Sequence, residues 1–515
     1  MPKFTITTSI HYPNAKPHMG HALEFVQADF LARYHRMKGE EVYFQTGVDE
    51  FGLKMQRAAD AAGKSTGDFA NEQVAHFTGL AEALSLSHDR FIRTSDADHM
   101  AMAQALWQAC AARGDIYKKT YRAWYNIKQE EFLGSADETP DPSVFGIDEK
   151  FIELIEEENY FFAQSKYTDQ VLALLRSGEY AIYPAHRAQE LIRFVEEKGL
   201  QDISVSRDIS RLSHGIPVPG DENQVMYVWF DALTNYLTGC ASVEEGRIVP
   251  GSRWPVDLHC IGKDITRFHG LLWPAMLLSA GLEVPKRLLV HGFILKDGHV
   301  MSKSRGNVID PYEPLEKYGA DPLRWYFLRA LPTTDDGDFT MERLAEVYAS
   351  NLANDYGNLV SRVLTMVHKY CGGVVPGVSE EQVANLEKVV VEERWAEYDA
   401  FAENIRIQEA LGSAQQLIVF CNRRIEELKP WEIAKDEHRK GELDELLYEL
   451  LEVIRHITSQ VWPAIPTTAE RVARELFTCL PSDFWFDGAK ARAWGSLVPG
   501  ESLGAAPLIL FPRHD

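Results

Sequence analysis

The chain opens on an arrangement that few folds can accommodate: strand, proline-bounded loop, His-x-Gly-His turn, helix and second strand in close succession. Phe4-Thr5-Ile6-Thr7-Thr8 reads as a strand, and Pro13 to Pro17 as a loop. Met19, Leu23, Val26, Phe30, Tyr34 and Met37 then recur at three- and four-residue spacing, the period of a helix with a buried face, and Gly39 ends it. Val42-Tyr43-Phe44 supplies the next strand. Such a β-loop-α-β opening begins a parallel nucleotide-binding sheet. The logic repeats from Asp257 to Gly292, with a strand near Leu258 to Ile261, a helix through Phe268 and Leu272 to Leu278, and a strand Arg287 to His291.

The two segments read as halves of one α/β Rossmann-like parallel-sheet catalytic domain split by an insertion, followed by an all-α helical bundle. The divisions expected are 1–113 for the first half, 114–213 for the insertion, 214–292 for the second half, 293–345 for a loop-bearing connector and 346–515 for the bundle. The insertion mixes aromatic and acidic stretches such as Glu157 to Phe162. Past about Asp321, β-branched runs thin out and Leu/Glu/Arg helices such as Leu443 to Ile457 take over.

Two tetrapeptides carry the chemistry. In His18-Met19-Gly20-His21 the glycine lets backbone approach a phosphate oxygen, the helix start offers unpaired N–H groups, and the imidazoles can donate to developing negative charge. Far downstream, Met301-Ser302-Lys303-Ser304 follows the glycine-bearing turn Lys296-Asp297-Gly298-His299, so that Lys303 offers an ammonium on a flexible side chain. Singly, His21 could be a satisfied helix-start histidine and Lys303 a solvated surface lysine. Together, in a β-α-β context, they point to ATP.

This pairing resembles the HIGH and KMSKS signatures of class I aminoacyl-tRNA synthetases. Val300 stands where that family usually has its first loop lysine. The likeness covers nearly the whole chain and is closest to the methionyl-tRNA synthetases, through Ser9 to Asn14, Tyr227 to Leu233, and Ile261 to Ile265 continuing to Ala275. The resemblance implies catalytic roles for His18, His21 and Lys303. It implies ATP contacts at Gly20, Lys263, Asp264, His291, Gly292, Ile294, Met301, Ser302 and Ser304. A methionine pocket would be formed by Ile10, Tyr12, Trp229, Ala232, Leu233, Tyr236, Ile265, Phe268, His269 and Trp273, with Asp49 taking the ammonium. Aromatic walls suit a polarizable thioether, each sulfur–ring contact contributing about 0.3–1.5 kcal/mol. In the bundle, Asn358, Arg362 and Trp431 match anticodon-reading positions, where an indole can stack on an unpaired base and polar groups can reach its edge. The partners implied are methionine, ATP with Mg²⁺, and tRNA(Met), with 293–345 touching the tRNA stem.

Composition sets bounds. With 53 basic and 76 acidic residues the formal charge is −23, which argues against a binder working by blanket phosphate neutralisation, so tRNA contacts must be local. The six cysteines are scattered without a Cys-x-x-Cys pair, and the family's knuckle stretch, Trp124 to Phe132, has none. No zinc or other bound metal is therefore expected, and a reducing cytoplasm suits the thiols. No run approaches the ~18 apolar residues of a membrane span. With no appendage for dimerisation in view, a monomer is expected. Three other readings compete. A leucine or valine synthetase would usually carry a larger editing insertion. A small-molecule nucleotidylyltransferase shares His-x-Gly-His but needs no such helical tail. A non-catalytic tRNA-binding relative would not need His18, His21 and Lys303.

Overall fold

The computed structural model describes residues 1–127, 131–135, 141–301, 306–385, 388–477 and 488–513. Ser302, Lys303 and Ser304, expected at the ATP phosphates, lie outside the described residues. At the centre is a six-stranded sheet in the order Arg90–Arg93, Glu41–Val48, Lys3–His11, Leu258–Gly262, Arg287–His291, Ala181–Tyr183. Every pairing in it is parallel. Its central strands are largely buried, as those of parallel sheets usually are, although the first, Lys3–His11, carries three threonines, a serine and a histidine among its apolar residues. The two halves inferred from sequence meet where Lys3–His11 pairs with Leu258–Gly262, Ile6 opposite Leu258 and Thr8 opposite Cys260. Strand order reverses direction there, which opens a crevice at the carboxyl ends of these two strands, the place where such sheets take ligands.

The helix expected from Met19 runs Met19–Met37 and is almost wholly buried. Its inner side packs on Phe4, Ile6 and Phe44, and its far side joins Trp325, Phe327 and residues of the bundle in one continuous core. The second crossover differs from expectation. Instead of a regular helix from Phe268, the chain makes a π-helical turn at Phe268–Leu272 and becomes α-helical only at Trp273–Ala280. Pro274 cannot donate a backbone hydrogen bond, which favours a wider turn before it.

The interval 114–213 contains two kinds of element. Ile116–Asn126, Glu131–Ser135, Ile152–Phe162 and Ile203–Ser204 form an antiparallel sheet that leaves the central fold. Between its last two strands, however, the chain returns to supply Ala181–Tyr183, the edge of the central sheet, with helix Ala185–Lys198 behind it. A three-residue strand is too short to show periodicity, so nothing in the sequence distinguishes it from the inserted segments around it. Beyond 346, helices Asn358–Cys371, Ile407–Leu428, Lys440–Val461 and Pro466–Glu475 form the bundle. Among the described residues, no helix is long and apolar enough to cross a membrane.

Candidate active site

The loop leaving strand Lys3–His11 ends on His18, which caps the Met19–Met37 helix in extended backbone geometry. His18 Nδ1 accepts the Gly20 N–H at 3.1 Å, and His21 Nδ1 accepts the His18 N–H at 3.0 Å. This is a reciprocal capping box built from two imidazoles. With both Nδ1 lone pairs engaged by the backbone, the ring hydrogen of each must sit on Nε2. The rings stack, centroids 3.8 Å apart. Burial pushes His21 well below the ordinary histidine range, and His11, His18 and His291 push it further. At neutral pH His21 is thus a neutral N–H donor rather than a cation. A methyl group at Gly20 would lie 3.0 Å from His18 Cε1, so glycine keeps the capping ring in place.

One turn on, Glu24 is buried and accepts from the Ser9 N–H at 2.8 Å, the Ser9 hydroxyl at 2.6 Å and His291 Nε2 at 3.0 Å. His11 Nε2 stands 3.9 Å from the same carboxylate. His291 Nδ1 lies 2.8 Å from the Gly292 carbonyl, so both of its nitrogens meet acceptors. Burial works against its charge, but Glu24 more than offsets this and holds His291 above the usual range. Burial likewise opposes the Glu24 charge, and His11 and His291 outweigh it. Sequence reasoning missed Glu24 and His11. The available signal was a carboxylate set in the apolar run Leu23-Glu24-Phe25-Val26, three residues past His21.

Helix Val228–Thr238 and the π-turn bring the aromatic residues together. Trp229 and Phe268 stack in parallel at 3.8 Å, and His269 meets Trp229 edge-on at 6.3 Å. His269 Nδ1 donates to the Ile265 carbonyl at 3.1 Å, leaving Nε2 to accept the Tyr236 hydroxyl at 2.7 Å. Burial pushes the His269 pKa down to about 4, which keeps that ring neutral. Tyr236 leans on Trp273, which is fully enclosed and donates from Nε1 to His259 Nε2 at 3.3 Å. Trp229, Ile265 and Phe268 are only partly buried and form the open side, while Ala232 and Leu233 are buried beneath. Ile10 and Tyr12 lie at the end of the first strand, with the Lys54 ammonium 5.0 Å over the Tyr12 ring. Asp49 is buried at the end of the adjacent strand, donating its N–H to the His11 carbonyl at 2.9 Å. Trp229, Ile265 and Phe268 thus present a partly exposed apolar face, and Asp49 a buried carboxylate just past the second strand.

On the other side of the crevice, Gly262 pairs with His291, and a methyl group on Gly262 would sit 2.9 Å from Asp264 Oδ1. Burial raises the Asp264 carboxyl. Lys263 contacts Asp336 through both carboxylate oxygens, at 2.6 and 2.8 Å. Gly292 is needed for close approach, because a Cβ there would be 2.2 Å from the Asp335 carbonyl carbon. Ile294, Leu295 and Lys296 start a hairpin that returns through His299 and Val300; Asp297 and Gly298 turn it with positive φ, and Met301 follows half-buried. Val300 is 48% exposed on this hairpin.

The three bundle positions share one place. Asn358, Arg362 and Trp431 line a cleft of about 340 Å³ with Ser361, Thr365, Met366, Lys369 and Tyr370. The Arg362 guanidinium lies 5.6 Å over the Trp431 indole, which is 39% exposed. Among the described residues, His35, Glu40 and Glu403 are a group of possible metal donors, but the Lys38 ammonium already bridges Glu40 and Glu403. The described cysteines, Cys110, Cys240, Cys260, Cys371 and Cys421, are all free.

A parallel sheet whose switch point carries a His-x-Gly-His helix cap fits a class I synthetase catalytic domain, and the family profile described as "tRNA synthetases class I (M)" matches residues 4–144 and 140–364. The methionine–tRNA ligase of Brucella suis is 40% identical, with 99% of this chain aligned to 98% of that protein. That of Mycobacterium leprae is 39% identical, covering 100% of this chain and 96% of its own length. A solved structure of Mycobacterium tuberculosis methionyl-tRNA synthetase in complex with methionyl-adenylate superposes with a TM-score of 0.89 at 37% identity, over 100% of both chains. The chain belongs to the methionine–tRNA ligase family of class I tRNA synthetases.

Proposed function

We propose that this chain condenses methionine with ATP to methionyl-adenylate and transfers the methionyl group to tRNA(Met). In the first step a methionine carboxylate oxygen bonds to the α-phosphorus, the α–β phosphoanhydride bond breaks and pyrophosphate leaves. In the second, a terminal ribose hydroxyl of the tRNA attacks the methionyl carbonyl carbon and AMP leaves. Neither step needs a protein nucleophile, so catalysis rests on positioning and on donors aimed at the phosphates. The observation that carries the reading is the His18/His21 cap at the sheet's switch point, with the Trp229–Phe268–Tyr236–His269 group beside it.

In this reading His18 and His21 donate from Nε2 to the phosphates as neutral imidazoles. Lys303, Ser302 and Ser304 approach the phosphates from the loop, Lys263 and Asp264 hold the phosphate and ribose side, and His291, Gly292 and Ile294 border the adenine. Mg²⁺, when bound with ATP, neutralises phosphate charge. The open aromatic side grips the thioether, and the neutral Tyr236–His269 pair offers no charge that would favour a polar side chain. Asn358, Arg362 and Trp431 read the anticodon, the indole stacking on a base and the other two reaching its edge. We further propose a monomeric, zinc-free, cytoplasmic enzyme, which elemental analysis and sedimentation of the purified chain would check.

Pyrophosphate exchange measured with a panel of amino acids tests the assignment. Exchange should require methionine; comparable exchange with leucine or valine, or none with any amino acid, would overturn it.

A further inference from the structure

Lys263 is a flexible four-carbon cation whose ammonium could wander widely, yet it is held by two residues at once. Asp336 binds it through both carboxylate oxygens, and the Phe293 ring lies 4.5 Å beneath the ammonium. Asp336 Oδ1 also accepts the Phe293 N–H at 2.9 Å. The next residues, Gly337 and Asp338, pair with Ile294 and Leu295 of the hairpin that leads to Met301. Asp338 closes that hairpin by accepting the Gly298 N–H at 3.0 Å. One short segment therefore joins the lysine on the phosphate side, the backbone on the adenine side and the base of the signature loop.

We infer that Asp336 is a positioning residue for ATP, acting through Lys263. The inference rests on the proposed placement of Lys263 at the nucleotide. An ammonium has three N–H donors, and Asp336 engages it from one side, leaving a donor for a phosphate oxygen. Fixing the lysine before ATP arrives removes side-chain ordering from the cost of binding. The pair is a quarter to a third exposed, so it adds little to stability, and a stabilising role does not account for the convergence of contacts on Asp336.

The test is a double-mutant cycle on the full-length enzyme, read by methionine-dependent pyrophosphate exchange. Asp336→Asn should raise KM for ATP about five- to tenfold, leave KM for methionine within twofold and leave Tm nearly unchanged, with Asp336→Glu recovering part of the loss. Lys263→Met should raise KM for ATP at least as much, and Lys263→Met/Asp336→Asn should be no worse than Lys263→Met alone. If Lys263→Met impairs ATP binding while Asp336→Asn leaves it unchanged or tighter, or if the two losses simply multiply, the inference about Asp336 is wrong. If Lys263→Met itself leaves KM for ATP unchanged, the placement of Lys263 fails instead.

Discussion

At the scale of single residues, two predictions follow from charge and space. Lys303 is the remaining signature lysine of its loop, since Val300 replaces the first. Losing one contact to transition-state charge typically costs about 10²–10³ in rate, so Lys303→Ala should lower exchange by about 10²-fold. Val300→Lys should be neutral or faster in the same assay, because the exposed Val300 side chain gives up little packing. The second concerns Gly20. Its missing Cβ leaves 3.0 Å to the His18 ring, so Gly20→Ala crowds that imidazole, which must shift by a few tenths of an ångström on its cap. We expect exchange to fall at least tenfold with Tm lowered by only a few degrees, since a lost N-cap costs about 0.5–2 kcal/mol. Normal exchange by Gly20→Ala would show that the ring's position is immaterial. His18, Gly20 and His21 were legible from their spacing alone. Glu24, His11 and Asp336 were not, because each acts through residues distant in sequence or carries no motif of its own.

At the scale of elements, the helix Asn358–Cys371 and the turn at Lys429–Trp431 matter together. Asn358, Ser361, Arg362, Thr365 and Lys369 recur at three- and four-residue spacing, so one polar face of that helix lines the cleft. Trp431 reaches the same cleft because Lys429, in left-handed backbone, ends one helix and Pro430 starts the next. Stacking on one base is worth about 1–3 kcal/mol, so Trp431→Ala should lower kcat/KM for tRNA about ten- to a hundredfold. Exchange should stay near normal, as the indole lies in the bundle, apart from the catalytic crevice. Equal loss of exchange and charging, with a lowered melting curve, would assign Trp431 to packing instead. The sequence supplied these residues only through family resemblance. What brings the tryptophan over the arginine is a helix break whose direction no local pattern encodes.

At the scale of the whole molecule, the catalytic helix is clamped to the bundle. Arg324 is fully buried and donates to the Ala464, Leu84 and Pro463 carbonyls while pairing with Asp29 at 2.7 Å. Asp29 also binds Arg33 and Ser87, and Arg33 lies over the Trp462 ring. Burial opposes the Asp29 charge, but the two guanidiniums and Ser87 hold its carboxyl well below the usual range. Its depressed pKa means that the unfolded chain binds more protons below about pH 5, so stability from this group is complete near neutrality and lost on acidification. His269, held near 4, acts in the same direction, because the unfolded imidazole takes up its proton first, below about pH 6.5. Removing one partner of a buried pair costs about 3–5 kcal/mol. Arg324→Met should therefore unfold at clearly lower urea, and its stability should fall less steeply between about pH 5 and pH 3 than the parent's. Urea titrations across that range check both outcomes; an unchanged slope would mean that Arg324 does not set the Asp29 titration.

The sequence by itself determined the alternation of strands and helices, the position of the helix that begins at Met19 and the two signature tetrapeptides, because these rest on period, caps and neighbouring residues. Only the tertiary structure decided that Ala181–Tyr183 closes the central sheet from within the interval 114–213 and that a π-turn carries Phe268 and His269. It alone joined Glu24 to His291 and Lys263 to Asp336. Those are contacts between residues far apart in the chain, made by segments that only the folded sheet brings together. Local propensity records how a segment prefers to fold; which segments meet is set by the burial of their shared faces.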